Sequence, residues 1–398
     1  VVRAARELAA AGEKLMVVAQ TNSQVDDLVD RLATAEPGLP IGRLHGSDSL
    51  PSPALSGHRE VVLSSSLGDL SDRKVVFATA AKWAYVKDAP AWPYAIVDEA
   101  YQMRSDALLK VAGLFERALF VGDPGQLDPF SVVGSEQWAG LSYDPSASAV
   151  VTLLAHNPGL PQHRLPVSWR LPATAAPLIS GAFYPYTPFR SGTADGERRL
   201  AFATAGDGSA HDRVLDTAAE TGWGLLELPR RATVRTDPEA VGAVAHVVRR
   251  LLERGGTAFS ERGAAPLLPE RIAVGTAHRD QAAAIRAALA SAGVRGVTVE
   301  TANRLQGREF DVTVVLHPLS GRLDATAFHL ETGRLCVLVS RHRHACIVVC
   351  RAGVAELLDE HPSTEPVQLG VATKFPDGWE ANHAVLAHLA EHRVRLHV

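Results

Sequence analysis

The sequence contains little cysteine and no long apolar run. Its 398 residues include three cysteines, Cys336, Cys346 and Cys350, which cannot all pair and lack the CxxC spacing of redox and metal motifs. We therefore expect them to be reduced core residues. No apolar run reaches the roughly 18 residues of a membrane span, and no basic segment followed by an apolar one opens the sequence. These absences predict a cytoplasmic protein that has no membrane partner.

An excess of charge of one sign is also missing. The sequence has 40 lysines and arginines and 44 aspartates and glutamates, which gives a net charge of −4 at pH 7. This balance excludes a protein that coats nucleic acid with a uniformly basic surface, but it is compatible with a local groove that follows phosphates. Hydrophobic residues make up 46% and charged residues 21%, as in globular proteins of two or three domains.

Short apolar strands alternate with helical segments along most of the chain. The strand "KLMVVAQ" precedes the helix "NSQVDDLVDRLA", whose N-cap we expect at Asn22 or Ser23. The alternation predicts the α/β class, with parallel sheets covered on both faces. We expect two halves of this kind, residues 1–155 and 156–355, followed by a C-terminal tail, residues 356–398.

Polar segments lie next to these strands. Ligands of parallel sheets bind at the carboxyl ends of the strands, so polar residues are expected to follow each strand. They are found in "AQTN" (19–22), "ATAAKW" (78–83), "DEAYQ" (98–102), "GDPGQLDP" (122–129), "GTAHRDQ" (275–281), "ETANRLQGREFD" (300–311) and "SRHRH" (340–344). Packing alone does not account for this repetition, so we predict a ligand site.

Acids at two of these strand ends indicate what the ligand is. The stretch "YAIVDEAYQM" ends a buried strand in Asp98 and Glu99, a poor place for two charges unless a cation lies nearby. One interpretation is a pair of acids at a helix N-terminus. The other is a Mg²⁺-nucleotide site, in which Asp98 holds the metal through water and Glu99 polarises the attacking water. In "FVGDPGQLDP", Asp123 and Gln126 lie in a Gly/Pro turn. Asp-Pro-Gly is typical of such turns, but the turn does not require Gln126.

With these residues in view, the chain resembles a family. "DEAYQ" followed by "GDPGQLDP" is similar to motifs II and III of superfamily 1 helicases, in the branch of the nonsense-mediated-decay helicase. The other motifs follow in the family's order: "VVAQTNSQVDDL", "VVFATAAKWA", "LPVSWRLP", "RIAVGTAHRDQ", "VETANRLQGREFDV" and "GRLCVLVSRHRH". The resemblance covers almost the whole chain. It implies two RecA-like P-loop NTPase domains, each with a parallel sheet, and ATP and Mg²⁺ as cofactors.

The resemblance also implies a role for individual residues. Asp98 and Glu99 serve the metal and the attacking water, and Gln126 senses the γ-phosphate. Arg170 and Arg341 act as arginine fingers from the second domain, because guanidinium groups suit phosphates.

Further residues are implied on the nucleotide and on a single strand of nucleic acid. The nucleotide set is Asp123, Gln306, Gly307 and Glu309. The set that contacts the sugar-phosphate backbone is Thr21, Asn22, Thr79, Lys82, Thr301 and Arg304. The expected partner is single-stranded nucleic acid, with DNA preferred over RNA and RNA left open, bound by a monomer; the resemblance to this branch also implies movement 5′→3′.

One motif of that family is missing from the sequence. The phosphate-binding string GxxxxGK[ST] does not occur in the 398 residues. Residues 1–11 resemble the helix that follows this loop, so we expect an N-terminally truncated first domain whose sheet lacks its middle strand. We expect little or no ATP hydrolysis by this chain alone. The alternative is a non-catalytic remnant that binds nucleic acid or a protein partner.

Simpler interpretations of three features stay open. The "SRHRH" segment is compatible with a solvated run of charges. His278 is typical of a loop or partly buried histidine rather than a metal ligand. The tryptophans Trp83, Trp169 and Trp223 are more typical of packing than of base stacking.

Overall fold

A computed structural model describes residues 1–87, 91–125, 127, 129, 138, 144–362 and 377–396. In these ranges the helices are α1 Val2–Ala10, α2 Asn22–Ala35, α3 Ala80–Trp83, α4 Ser105–Val111, α5 Ala149–His156, α6 Ala176–Phe183, α7 Ala210–Thr221, α8 Pro238–Glu253, α9 Arg279–Ser291, α10 Ala302–Leu305, α11 Ala327–Leu330, α12 Thr332–Val339, α13 Val354–Glu360 and α14 Gly378–Ala390.

Strands occur between most of these helices. They are β1 Leu15–Ala19, β2 Ile41–Leu44, β3 Val61–Ser64, β4 Val75–Thr79, β5 Trp92–Val97, β6 Phe115–Phe120, β7 Val167–Ser168, β8 Arg190–Ser191, β9 Arg199–Phe202, β10 Trp223–Leu228, β11 Gly256–Ser260, β12 Gly263–Pro266, β13 Ile272–Thr276, β14 Thr298–Thr301, β15 Phe310–Leu316, β16 His342–Arg351 and β17 Arg393–Arg395.

The chain divides into two compact units. The first comprises Val1–Pro124 and Asp128–Pro161, and the second comprises Gly125–Leu127 and Gln162–Val398. Each unit contains a six-stranded sheet.

The sheet of the first unit has the order β3-β2-β4-β1-β5-β6, and all its strand pairs are parallel. Successive side chains of a strand point to opposite faces. In β1, Leu15 and Val17 therefore join the core formed with α1 and α2, whereas Met16 and Val18 join the core formed with α3, α4 and α5. Both faces are covered, as predicted.

The first sheet is continuous in the described part of the chain. The expectation that it lacks its middle strand is wrong, since β1, a fully buried strand, pairs with β4 on one side and β5 on the other. The strand at one end of the order is β6, which pairs with β5. Its side chains are only partly buried or exposed.

The sheet of the second unit has the order β14-β13-β15-β16-β10-β17, again with parallel pairs throughout. In β16, Cys346 and Val348 face the core built with α6, α12, α13 and α14, while Ile347 and Val349 face the core built with α7, α8 and α9. All three cysteines are buried, and none of them forms a disulfide. The C-terminal elements α14 and β17 belong to this unit.

Two smaller sheets complete the second unit. One is antiparallel, with the order β12-β11-β9, and the other pairs β7 with β8. The predicted α/β class, with a parallel sheet in each half of the chain, is confirmed. Within the described ranges, we find no helix with the length and apolar character needed to cross a membrane.

Candidate functional site

The turn after β5 has an unusual backbone. Asp98 follows the strand, and its amide N–H donates to the carbonyl of Val18 at 2.8 Å. Glu99 then adopts a left-handed conformation, with φ 47° and ψ 45°, and it is the only non-glycine residue with positive φ among those described. Such a conformation costs an L-residue about 1–2 kcal/mol, so the surroundings must hold it. The amide of Ala100 does so by donating to the carbonyl of Val121 at 2.9 Å.

Gly122 allows the end of β6 to approach this turn. A Cβ atom at this position would lie 3.0 Å from the amide nitrogen of Ala100 and 3.0 Å from the ring of Tyr101, which is tighter than most Cβ contacts in proteins. The glycine therefore brings the segment that carries Asp123 against the Asp98–Glu99 turn. Burial and, secondarily, the charge of Asp123 raise the pKa of the Tyr101 hydroxyl.

The carboxylate of Asp98 is incompletely compensated. Burial raises its pKa, and a hydrogen bond from the amide of Glu99 and the positive charge at Val1 offset this only in part. None of the described residues forms an ion pair with Asp98. A half-buried carboxylate of this kind fits a metal ion, because Mg²⁺ prefers oxygen ligands and favours the ionised form.

The same edge offers unused hydrogen-bond donors. Gln20 follows β1, and Gln102 lies in the turn after β5. The Nε2 atom of each is buried and has no hydrogen-bond partner among the described residues. Buried donors of this kind are uncommon, and they are compatible with phosphate oxygens.

The predicted nucleic-acid contacts of the first unit lie at the same carboxyl edge. Thr21, rather than Asn22 or Ser23, caps α2, in a reciprocal arrangement with Gln24. Asn22 accepts from the fully buried Arg43 at 2.9 Å.

The remaining two predicted contacts of this unit also have structural partners. Thr79 accepts from the amide of Lys82 at 3.2 Å, and the Nζ of Lys82 donates to the carbonyl of Ser65 at 2.9 Å. Hydrogen bonds within the chain thus explain in part why Thr21, Asn22, Thr79 and Lys82 occur at these positions. Gln126 lies outside the described residues.

In the second unit, the predicted residues divide between two edges of the sheet. Thr301 ends β14 and Arg304 follows in α10, so both belong to the carboxyl edge. Gln306, Gly307 and Glu309 directly precede β15 and therefore lie at the amino edge.

Arg341 also lies at the amino edge, since it precedes β16 and follows α12. The expectation that "SRHRH" follows a strand is wrong. The alternative interpretation, a solvated run of charges, does not hold, because Arg341 and His342 are 0% exposed and His344 is 4% exposed. The guanidinium of Arg341 donates to Ser340 Oγ at 2.8 Å.

A chain of alternating charges holds the segment that carries Arg170. Arg198 donates to the carbonyl of Trp169 at 2.6 Å and to that of Arg170, and it pairs with Glu261 at 2.9 Å. Arg343 joins Glu261, at 3.2 Å, to Glu309, at 3.0 Å. We call Glu309, Arg343, Glu261 and Arg198 the amino-edge charge chain.

The amino-edge charge chain has electrostatic consequences. The hydrogen bonds from Arg198 lower the pKa of Glu261 to about 2, against the effect of burial. Arg198 itself has only 1% of its side chain exposed.

His342 lies at the start of β16. Burial and then the charge of Arg170, with a smaller effect of Arg341, lower its pKa to about 3. The Nε of Arg170 is buried and has no hydrogen-bond partner in the described ranges.

The other predicted residues of the second unit have distinct environments. The side chain of Arg304 is 70% exposed, and its ion pair with Glu300 is long, at 3.6 Å. Gln306 has a buried Nε2 with no hydrogen-bond partner among the described residues, and Gly307 has φ 75°, a conformation that favours glycine.

His278 and the three tryptophans differ in their environments. His278 is partly buried and contacts His329, with 3.1 Å between their Nε2 atoms. Trp83 and Trp223 are 0% exposed and belong to the cores, whereas Trp169 is 69% exposed.

Sequence reasoning missed Gly122, Arg198 and Glu261. The "VGDPG" string carries a signal for Gly122, since a glycine at a strand end often permits close backbone approach. The pair of Arg198 and Glu261 is 63 positions apart and leaves no local signal.

Fold and site together define an α/β protein with two parallel-sheet units, in which acids gather at the carboxyl edge of one sheet and arginines at the amino edge of the other. Residues 224–353, within the second unit, match the family AAA_12, described as an AAA domain. This match covers less than half of the chain. Among curated proteins, no sequence matches the chain.

Several solved structures are similar to the chain. The structure of the PRRSV helicase has 14% identity and a TM-score of 0.40, over 85% of this chain and 47% of that chain. The arterivirus nonstructural protein 10 helicase has 14% identity and a TM-score of 0.45 in its complex with DNA, over 87% and 56%. Without DNA it has 13% and 0.44, over 87% and 55%. The chain thus spans about half the length of the solved structures it matches.

Proposed function

We propose that this chain is part of an ATP-driven nucleic-acid translocase or helicase. The observation that carries the proposal is the turn after β5, where the incompletely compensated carboxylate of Asp98 stands beside Glu99 in a left-handed conformation. Strained backbones of this kind concentrate at functional sites. The ordered motifs and the AAA-domain match of residues 224–353 support the same function.

In this proposal, the acids of the first unit serve the metal and the water. Mg²⁺, when bound, neutralises charge on the phosphates of ATP. Asp98 holds the ion through water, and Glu99 accepts a proton from the attacking water. Asp123 and Gln126 follow the next strand and respond to the nucleotide.

The second unit contributes positive charge and coupling. Arg170 and Arg341 stabilise charge that develops on the transferred phosphate, since guanidinium groups bind such oxygens in a fixed fork. Gln306, Gly307 and Glu309 link the nucleotide to the strand-binding surface. His342 stays neutral, so it adds no repulsion to these arginines.

Nucleic acid is proposed to bind at the carboxyl edge of each sheet. Hydroxyl and amide groups of Thr21, Asn22, Thr79 and Thr301 contact the backbone, and the charges of Lys82 and Arg304 attract phosphates. We propose single-stranded DNA as the partner, a monomer as the active form, movement 5′→3′ and a cytoplasmic location.

A direct test measures single-strand binding by this chain. Fluorescence anisotropy with a labelled oligonucleotide should give weak binding that falls steeply with salt. A Lys82→Ala/Arg304→Ala variant should bind several-fold more weakly than the wild type. Binding that is unaffected by both salt and these substitutions contradicts the proposed surface.

A second test concerns catalysis. Because the sequence lacks GxxxxGK[ST], we propose that this chain alone hydrolyses little ATP. The same absence favours one other function, a non-catalytic remnant that binds nucleic acid or a protein. An in-frame GKT or GKS segment in the gene before the codon of Val1 favours the motor, and a stop codon there favours the remnant. In a chain that carries this segment, Glu99→Gln should abolish turnover and preserve nucleotide binding.

A further inference from the structure

Three potential metal ligands meet where α14 ends. One ligand atom from each of His388, Glu391 and His392 lies within 4.8 Å of the other two. His388 is in the last turn of the helix. The amide of Glu391 donates to the carbonyl of His388 at 3.2 Å, and that of His392 donates to the carbonyl of Leu389 at 3.0 Å, so the chain leaves α14 in a tight turn. This turn brings Glu391 and His392 back beside His388.

The two histidines of the cluster are partly buried. Glu391, at an exposed position, supplies negative charge.

One of these rings has an unused nitrogen. The Nε2 of His388 is buried and has no hydrogen-bond partner among the described residues. Its two ring neighbours do not supply one, because they make edge contacts: the centroid of Trp223 is 5.3 Å away and that of His392 is 4.9 Å away. A buried nitrogen without a partner is unfavourable unless something binds to it.

We propose that His388, Glu391 and His392 bind a divalent transition-metal ion, with Zn²⁺ as the ion that fits best. Two imidazoles and one carboxylate are a common Zn²⁺ donor set, and a water molecule completes the tetrahedron. The site is separate from the proposed Mg²⁺ site, since Mg²⁺ prefers oxygen ligands.

The position of the site indicates what the ion does. Its ligands join the end of α14 to the start of β17, and β17 is the strand that pairs with β10 at the end of the second sheet. Trp223, at the start of β10, contacts His388 on one side and His342, with 4.9 Å between centroids, on the other. The ion would therefore hold the turn between α14 and β17, and His388 contacts Trp223, which in turn contacts His342.

The experiment is a calorimetric titration of the untagged full chain with ZnCl₂. We expect one equivalent to bind and to raise the melting temperature. The variant His388→Gln/His392→Gln should lose about 100-fold in affinity, and Glu391→Gln should lose about 10-fold, because each removes a ligand. The metal-free melting temperature and the circular dichroism of each variant show whether it folds.

Two matched controls locate the binding. His383→Gln changes a histidine of the same helix whose Nε2 lies 3.4 Å from Asp359, and it should bind Zn²⁺ like the wild type. His211→Gln/His246→Gln removes another histidine pair, with stacked rings 4.0 Å apart, and should also bind normally.

Three results overturn the proposal: no binding by the wild type at micromolar Zn²⁺, unchanged binding by His388→Gln/His392→Gln, or loss of binding in either control. Co²⁺ provides a second readout, since its visible absorption depends on the ligands and should change in the Glu391→Gln variant. Neither measurement involves nucleotide or nucleic acid, so the outcome is independent of the proposed function.

Discussion

The two units place charge of opposite sign at opposite edges of similar sheets. In the first unit, Asp98, Glu99 and Asp123 follow parallel strands at the carboxyl edge. In the second unit, Arg170 and Arg341 belong to the amino edge, with Arg341 directly before β16. The rule that ligand-binding residues follow the strands of a parallel sheet thus describes the first unit and only part of the second.

Helix direction explains this difference. In a parallel sheet with connecting helices, helices begin near the carboxyl edge and end near the amino edge. A helix carries partial positive charge at its N-terminus and partial negative charge at its C-terminus, worth about 0.3–1 kcal/mol to a suitable ion. At the carboxyl edge of the first sheet, α2 begins at Asn22 shortly after β1, and at the amino edge of the second sheet, α12 ends two residues before Arg341. Each edge therefore favours the sign of charge found there.

The largest effect is expected at the tightest point of the first unit. Gly122→Ala should reduce the free energy of unfolding by about 2 kcal/mol, because the new Cβ would lie only 3.0 Å from backbone and ring atoms, which must then shift. Urea denaturation followed by circular dichroism measures the change. Gly113→Ala is the control, since a Cβ there meets nothing within 4 Å. Equal losses in both variants contradict the close approach of β6 to the Asp98–Glu99 turn.

A smaller effect is expected at the amino edge of the second unit. Glu261→Gln should lower the free energy of unfolding by about 1–2 kcal/mol at pH 7, because Arg198 stays buried without its charged partner. The pKa of Glu261 is lowered to about 2 in the folded chain. Its contribution is therefore present above the unfolded pKa and is lost as the pH falls from about 4.5 to about 2.

The measurement for Glu261 is urea unfolding at several pH values. The difference between the wild type and Glu261→Gln should shrink over that acidic range. Glu309→Gln, at the more exposed end of the amino-edge charge chain, should change stability by less than about 1 kcal/mol. A difference that does not depend on pH means that Glu261 acts through packing rather than charge.

The first unit was the more predictable from its sequence, for a physical reason. Its strands β1, β4 and β5 are short apolar segments that end in obvious polar residues, so the carboxyl edge can be found without a structure. The middle-strand expectation failed because the order of parallel strands depends on crossovers, which leave no local signal.

The second unit misled because α12 is buried on every side. All eight of its residues are buried, so its sequence lacks the 3.6-residue periodicity of a surface helix and is similar to a strand. The strand that follows begins with polar residues, His342 and Arg343. The segment was therefore expected after a strand, although it lies before one. The amino-edge charge chain was missed for a related reason, since its members are distant in the sequence.

A modest gain in stability is expected when the charge of Asp98, in the turn after β5, is removed. Burial raises the pKa of Asp98, so the folded chain binds this proton more readily than the unfolded chain, and stability falls as the pH rises through this range. Asp98→Asn should therefore add about 0.5–1 kcal/mol to the free energy of unfolding at pH 7. The gain should vanish below roughly pH 4, where the unfolded carboxyl is also protonated.

The control for Asp98 removes an equal charge that has a partner. Asp106 pairs with Arg104 at 2.9 Å, so Asp106→Asn should be neutral or slightly destabilising. If Asp98→Asn destabilises the chain at pH 7, the carboxylate is well compensated and the argument for a metal at this position fails.

The smallest effect on stability is expected for two arginines that lie at the opposite ends of β14. Arg304 follows β14 at the carboxyl edge and Arg295 precedes it at the amino edge, and both are exposed. Neither Arg304→Ala nor Arg295→Ala should change the free energy of unfolding by more than about 0.5 kcal/mol. Only Arg304→Ala should weaken single-strand binding, by about two- to threefold, and reduce the slope of log affinity against log salt by roughly 0.7, because one phosphate contact is lost. Since both variants remove one positive charge, equal weakening means that net charge, rather than the carboxyl edge, attracts the strand.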